Sequence, residues 1–344
     1  MTASALASRH LRASAFAALV AVLAIAVPTP AHAKPDAKQA KVNVYVDMLN
    51  NWSSYVYKAR NQYGDVIDLA KGPTCKESNL RGPSAMGPSA KQTFATYQKD
   101  LAKKPALPVD AAAKEMAAVL VELWEPTNEA SDYYGKRQWR DDDCKRGQEL
   151  HARLVELWAR YATADREVRA FVEKYNDDLQ AAAIGKTKKK YGPKFRYHYE
   201  LLLLDGKAMV RTFDAELGAA QPNVEAIKTA LAGFEATLAA TEALLAKDRN
   251  NAKIYNELYQ GGYTQFVKHA GWFRDAIAST LKVIEEPPAK PPAKPLAPDK
   301  QKAADERAAK QRMEKLARES KQTIDAYNRM IDAANAVRIS TKVK

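Results

Sequence analysis

Apolar residues return every three or four positions along most of the chain, the spacing that lays an apolar stripe down one face of an α-helix. Val42, Tyr45, Leu49, Trp52, Val56 and Tyr63 form the first such stripe. Met116, Leu120, Leu123 and Thr127 form a second, on a helix predicted from about residue 109. Pro126 lies inside that pattern, where it either kinks one helix or starts another. A third stripe runs through Leu150, Leu154, Trp158, Tyr161, Val168, Val172 and Tyr175. A fourth takes Phe195, Tyr199, Leu203, Met209, Phe213 and Leu217, with Gly206 placed for close helix approach. Ile227, Leu231, Phe234, Leu238 and Leu245 continue the spacing, as do Tyr255, Tyr259, Phe266, Phe273, Ile277, Leu281 and Ile284. No segment alternates with a period of two. The pattern predicts an all-α fold, an elongated bundle of long antiparallel amphipathic helices, because each stripe must bury against another.

Three stretches break the pattern. "AKGPTCKESNLRGPSAMGPSAK" (70–91) holds three Gly-Pro pairs and no stripe. A loop of that length in a compact domain calls for a tether or a function. "AIGKTKKKYGPKF" (183–195) reads as a basic, glycine-punctuated connection between helices. "EEPPAKPPAKPLAPDK" (285–300) reads as an extended, semi-rigid linker. Beyond it, Met313, Leu316, Ile324, Tyr327, Ile331, Ala334 and Val337 predict one more amphipathic helix that docks back on the bundle. The expected organisation is a leader at 1–33, a short lead at 34–40 and a helical-bundle domain at 41–285. A Pro/Ala/Lys linker follows at 286–300, then the C-terminal helix segment at 301–344.

The leader changes the compartment. Arg9 and Arg12 precede the uncharged run "ASAFAALVAVLAIAV" (13–27), and Ala31 and Ala33 have the spacing of a signal-peptidase cut. The run is short of the roughly 20 residues of a membrane span. The expected product is a periplasmic or secreted chain starting at Lys34, with no transmembrane helix. Removing Arg9 and Arg12 takes the net charge from +13 to +11. Acids and bases are interspersed along the helices, a pattern that serves solubility; the excess also favours anionic surfaces. In an exported chain, nucleic acid is not an expected partner.

Candidate chemistry concentrates at "SDYYGKRQWRDDDCKRGQELHARL" (131–154). Asp141, Asp142 and Asp143 point about 100° apart on a helix and cannot all converge on a cation. One of them accepting from a free N–H at a helix start is the simpler use. Cys144, His151 and Cys75 supply at most three ligands, and no fourth completes a zinc pattern, so no metal is expected. The chain holds two cysteines, and export to an oxidising compartment predicts a Cys75–Cys144 disulfide. His151, His198 and His269 sit in no metalloprotease, nucleophile-elbow or phosphate-loop context, so no catalytic residue and no cofactor is expected. The candidate anion-binding residues are Lys186, Lys188, Lys189, Lys190, Lys194 and Arg196. They alternate with Tyr191, Phe195, Tyr197 and Tyr199, so that cations can hold phosphates while rings stack.

"DYYGKRQWRDDDCKRGQELH" (132–151) resembles the YiiG-like family of bacterial envelope proteins, which has no known function and includes many lipoproteins. The likeness rests on Tyr133 and Tyr134, Trp139, Asp142 or Asp143, Gly147, and Leu150 with His151. "KVNVYVDMLN" (41–50) and "IDAYNRMIDAANAVR" (324–338) are similar to the family's terminal helices. The resemblance implies an all-helical envelope domain and brings no catalytic residues. This chain departs from the lipoprotein pattern, since no cysteine stands near the cut. The expected function is a non-catalytic binding or structural role in the cell envelope. The alternatives are a receptor for an anionic glycan or lipid through the basic stretch, and a cell-wall hydrolase.

Overall fold

The computed structural model describes residues 36–77, 79–219, 222–248, 260–287 and 297–337. The leader, Tyr255, Tyr259 and most of the 286–300 linker lie outside them. Within the described residues the fold is all-α, with no strand. The contacts divide it into two compact units that meet in sequence at Asp178 and Leu179, inside the 41–285 stretch read as one bundle.

The N-terminal unit begins with α1 (Ala37–Met48), where the Asp36 carboxylate accepts from the N–H of Gln39 at 2.7 Å and caps the helix. A π-helical turn (Leu49–Ser53) joins α1 to α2 (Ser54–Gly64). The turn inserts a residue into the helical period and shifts the stripe. Met48, Leu49 and Ser53 are buried, whereas Trp52 moves to the edge of the core, its ring centroid 4.5 Å from that of Phe94. Phe94 belongs to α3 (Ser89–Leu101), a helix the sequence reading passed over; Ala90, Phe94, Tyr97 and Leu101 are its buried face. Helix α4 (Asp110–Gly135) contains Pro126, buried within one continuous helix. A 3₁₀ turn (Gln138–Arg140) leads to α5 (Lys145–Tyr191). The apolar faces of these helices make one core, centred on Tyr45, Met116, Leu120, Leu154 and Tyr161.

Two buried charges anchor this unit. The Lys41 ammonium donates to the carbonyls of Lys103 and Pro105 at 2.8 and 2.9 Å and to Asp110 at 2.6 Å. All three of its donors are used, which makes its burial tolerable. Tyr45 also donates to Asp110. On α5, buried Asp165 accepts from Ser53 of the π turn, from Tyr57 at 3.1 Å and from Arg169 at 3.2 Å.

The C-terminal unit packs α6 (Phe195–Gly218), α7 (Val224–Asp248), α8 (Gln260–Glu285) and α9 (Pro298–Asn335) around a second core. Phe195 meets Tyr263 and Tyr199 meets Phe266, so α6 and α8 run in the same direction. Tyr199 donates to the Ala334 carbonyl, while the Gly206 backbone faces Met330, which sets α9 antiparallel to α6. Phe273 against Tyr327 and Thr280 against Thr323 repeat the antiparallel order between α8 and α9. The result is an up-down-up-down four-helix bundle. Gly206 lies close under α9: an added Cβ would stand 2.7 Å from the Met330 methyl, the end of a flexible side chain that would have to move aside.

Candidate functional site

The chemistry-bearing stretch at 131–154 is a helix junction closed by a disulfide. Helix α4 ends at Gly135, Arg137 turns the chain through the left-handed region (φ 58°), and α5 starts at Lys145. Asp142 is the aspartate that serves the helix start. Its carboxylate accepts from the N–H groups of Cys144 and Arg146, at 3.0 and 2.9 Å, and from the Tyr133 hydroxyl at 2.8 Å. Burial works against this carboxylate, but those donors outweigh it and hold its pKa below the ordinary aspartate value. Asp141 and Asp143 are exposed and take no part.

Cys144 is bonded to Cys75, with Cα atoms 5.8 Å apart across a sequence separation of 69. Neither cysteine is therefore available as a metal ligand. Among the described residues no group of three His, Cys, Asp or Glu side chains is placed to hold a metal ion. The bond pins the Gly-Pro loop, and further contacts fasten it along its length. Gln148 donates to the Pro73 carbonyl, Tyr55 to the Ser84 carbonyl, and Trp124 to the Gly87 carbonyl at 3.3 Å. At Gly82 an added Cβ would lie 2.4 Å from the Ala130 carbonyl oxygen, so glycine is what lets the loop lie on α4. The loop is a fitted cover over the start of α5.

The remaining motif residues lie beneath that cover. Tyr133 and Tyr134 are buried edge to face, with centroids 5.0 Å apart. Gly147 faces both: a Cβ there would stand 3.0 Å from the Tyr134 hydroxyl and 3.3 Å from the Cys144 sulfur. His151 stacks on Tyr63 and pairs through Nδ1 with the Tyr63 hydroxyl at 3.3 Å. Burial lowers the His151 pKa, so the ring is neutral at pH 7. The same burial pushes the Tyr63 hydroxyl up to about 12 and raises that of Tyr134 further. Leu150 is in the core, and Trp139 is partly buried against it. Tyr133, Tyr134, Asp142, Cys144 and His151 are thus engaged in capping, stacking, bonding or close packing.

The basic stretch takes a different form from the expected loop. Helix α5 continues through 183–191, and the connection to α6 is residues 192–194 alone. Gly185 is tolerated inside the helix, and Gly192 ends it in the left-handed region (φ 75°). Lys188, Lys189 and Lys190 thus occupy the last turn, where cations complement the negative end of a helix. They and Lys186 and Lys194 are exposed. Lys190 and Arg196 sit over the Tyr191 ring at 4.7 and 5.4 Å, and Lys188 over the Tyr197 ring at 5.2 Å. Arg196 is also paired with Glu200 at 3.0 Å. Phe195 and Tyr199 belong to the core and offer no stacking face.

Charge divides as the contacts do. Residues 36–178 hold 22 Lys and Arg against 22 Asp and Glu, whereas 179–344 hold 29 against 19. The positive excess of the protein is a property of its C-terminal half.

Comparison with known proteins finds a family and a relative. The family described as "Protein of unknown function (DUF3829)" matches residues 36–336. The uncharacterized protein YiiG of Escherichia coli (strain K12) is 26% identical over 203 residues, covering 56% of this chain and 56% of its own. The chain therefore spans little more than half the length of that curated relative. No solved structure matches.

Proposed function

The chain belongs to the DUF3829 family, and from that premise we propose that it is an exported, non-catalytic protein with a binding or structural role in the bacterial cell envelope. The observation that carries this reading is the disulfide and what it holds. Cys75–Cys144 clamps a long loop onto the junction where Asp142, Tyr133, Tyr134, Gly147 and His151 interlock. Such a bond persists in oxidising compartments, and the junction spends its polar groups on rigidity. Among the described residues no helix is long and apolar enough to cross a membrane. The signal-like segment at 1–33 lies outside the described residues and enters as a reading of the sequence.

The test is to recover the protein from cell fractions, weigh it intact and titrate its thiols. The reading predicts an envelope or secreted chain beginning at Lys34, with no free thiol before reduction. A chain still beginning at Met1 in the cytoplasm with two free thiols would refute it.

A second reading is favoured by the cations held over Tyr191 and Tyr197. They would form an anion-binding corner at the end of α5. Reversing Lys188, Lys189 and Lys190 to Glu should lower retention on an anionic column and flatten its salt dependence. Unchanged retention would leave these lysines as helix-end charges alone.

A further inference from the structure

Helix α8 buries Tyr263, Phe266, Ala270, Phe273 and Ile277. Trp272 is off that stripe and keeps 44% of its surface exposed. An exposed indole is by itself unremarkable on a protein surface; the groups around this one are not random. The Lys268 ammonium, one turn earlier, lies 4.8 Å from the ring centroid. The His269 ring stands perpendicular to the indole at 4.6 Å, with its Nδ1 buried and unpartnered among the described residues. Arg329 comes from the neighbouring α9. Burial, Lys268 and Arg329 together hold His269 below its ordinary pKa, so the two cations are near enough to be felt by the ring. Neither Lys268 nor Arg329 forms an ion pair among the described residues. Asp275 is paired with Arg274 and Asp325 with Lys321.

We infer that this face of α8 and α9 binds an acidic polysaccharide. The indole supplies a flat apolar surface for the C–H face of a sugar ring, with an N–H at its edge. Lys268 and Arg329 supply charge for the carboxylates or phosphates along the polymer. The His269 ring, packed perpendicular to the indole, holds it in place. Charge complementarity selects an acidic polymer over a neutral one, because the cations beside the indole are Lys268 and Arg329. The inference does not use the lysines at the end of α5, so the two surfaces stand or fall separately.

Polygalacturonate is the probe, with neutral dextran and phosphatidylglycerol vesicles as comparisons, and the full chain is titrated by calorimetry. Polygalacturonate is expected to bind and dextran not to. Trp272→Ala should weaken binding by about tenfold or more, the range of a lost stacking platform, and Trp272→Phe should restore part of it. Lys268→Gln with Arg329→Gln should reduce the salt dependence, while Lys188→Glu with Lys189→Glu and Lys190→Glu should leave the effect of Trp272→Ala unchanged. All six positions are solvent-facing, and circular dichroism checks that each variant is folded. Affinity within twofold for Trp272→Ala, equal binding of dextran, or binding of the vesicles without polygalacturonate would each overturn the assignment.

Discussion

Between residues 36 and 178, a disulfide, a buried lysine and a buried aspartate tie helices to one another and to a long loop. Between 195 and 337 the buried polar groups are threonines, and the helices are held by rings and aliphatic side chains. The first region is neutral, with 22 basic against 22 acidic residues, and the second nearly so, with 21 against 19, because most of the positive excess lies at 186–194 and 338–344. Both are bundles of similar helices, so the difference lies in what specifies them. A buried charge with all its partners fixes one arrangement, and losing a partner is costly. Aromatic and aliphatic packing fixes an arrangement through shape, and leaves the surface free to carry charge for another purpose.

The sharpest break in the comparison is the disulfide. Serine at both Cys75 and Cys144 should destabilise the N-terminal unit by about 4 kcal/mol, the chain-entropy value for a loop of this length. Hydrogen exchange should quicken across 42–172 and stay unchanged across 195–337. Equal acceleration in both regions would contradict the division. Next in size is Lys41→Ala, which strands Asp110 and two carbonyls and should cost about 3 kcal/mol by urea unfolding. Asp142→Ala removes the acceptor for two backbone N–H groups at the start of α5 and should cost about 1 kcal/mol.

Acid should separate the regions more gently. Glu77, Asp110 and Asp142 have pKa values below the ordinary carboxyl range: in each, hydrogen bonds outweigh the upward push of burial. The unfolded chain therefore takes up protons first. The stability these groups contribute is present above about pH 4 and is lost as pH falls through their folded values. Asp205 and Asp214, in the C-terminal unit, are raised by burial. There the folded chain takes up protons first, and stability is gained as pH falls toward the ordinary aspartate value. His151, His198 and His269 are all lowered by burial, so both regions lose a little below about pH 6.5. Going from pH 5 to pH 3, exchange should quicken in the N-terminal unit more than in the C-terminal unit. The reverse order would show that the carboxyl environments are misassigned.

The helices were legible because their stripes are long, and the junction because an aspartate before an apolar run has one common use. Helix α3 leaves a weak trace in the sequence, because it is short and its buried face of Ala90, Phe94, Tyr97 and Leu101 follows directly on a Gly-Pro loop. Residues 183–191 were read as a connection because lysines and a glycine weaken the pattern, yet helix-end cations are stabilising there. The π turn was not legible: one inserted residue exchanges Trp52 for Ser53, and no composition signal marks it. Lys41 and Asp165 look like solvent-facing charges in sequence, since their partners lie as far as 69 and 112 residues away. The face around Trp272 escaped for the opposite reason: periodicity selects what is buried and is silent about what is displayed.

The difference between the regions is tested most directly by equal charge changes in each half of the full chain. One variant carries Glu at Lys268 and Arg329 of the C-terminal unit; the other carries Glu at the exposed Lys58 and Lys99 of the N-terminal unit. Both lower the net charge by the same amount, and both are titrated with polygalacturonate across a range of salt. The account predicts that the first variant loses most of its binding and its salt dependence, and that the second keeps both. Equal losses in the two variants would mean that net charge alone governs binding, and would contradict a display surface confined to the C-terminal unit.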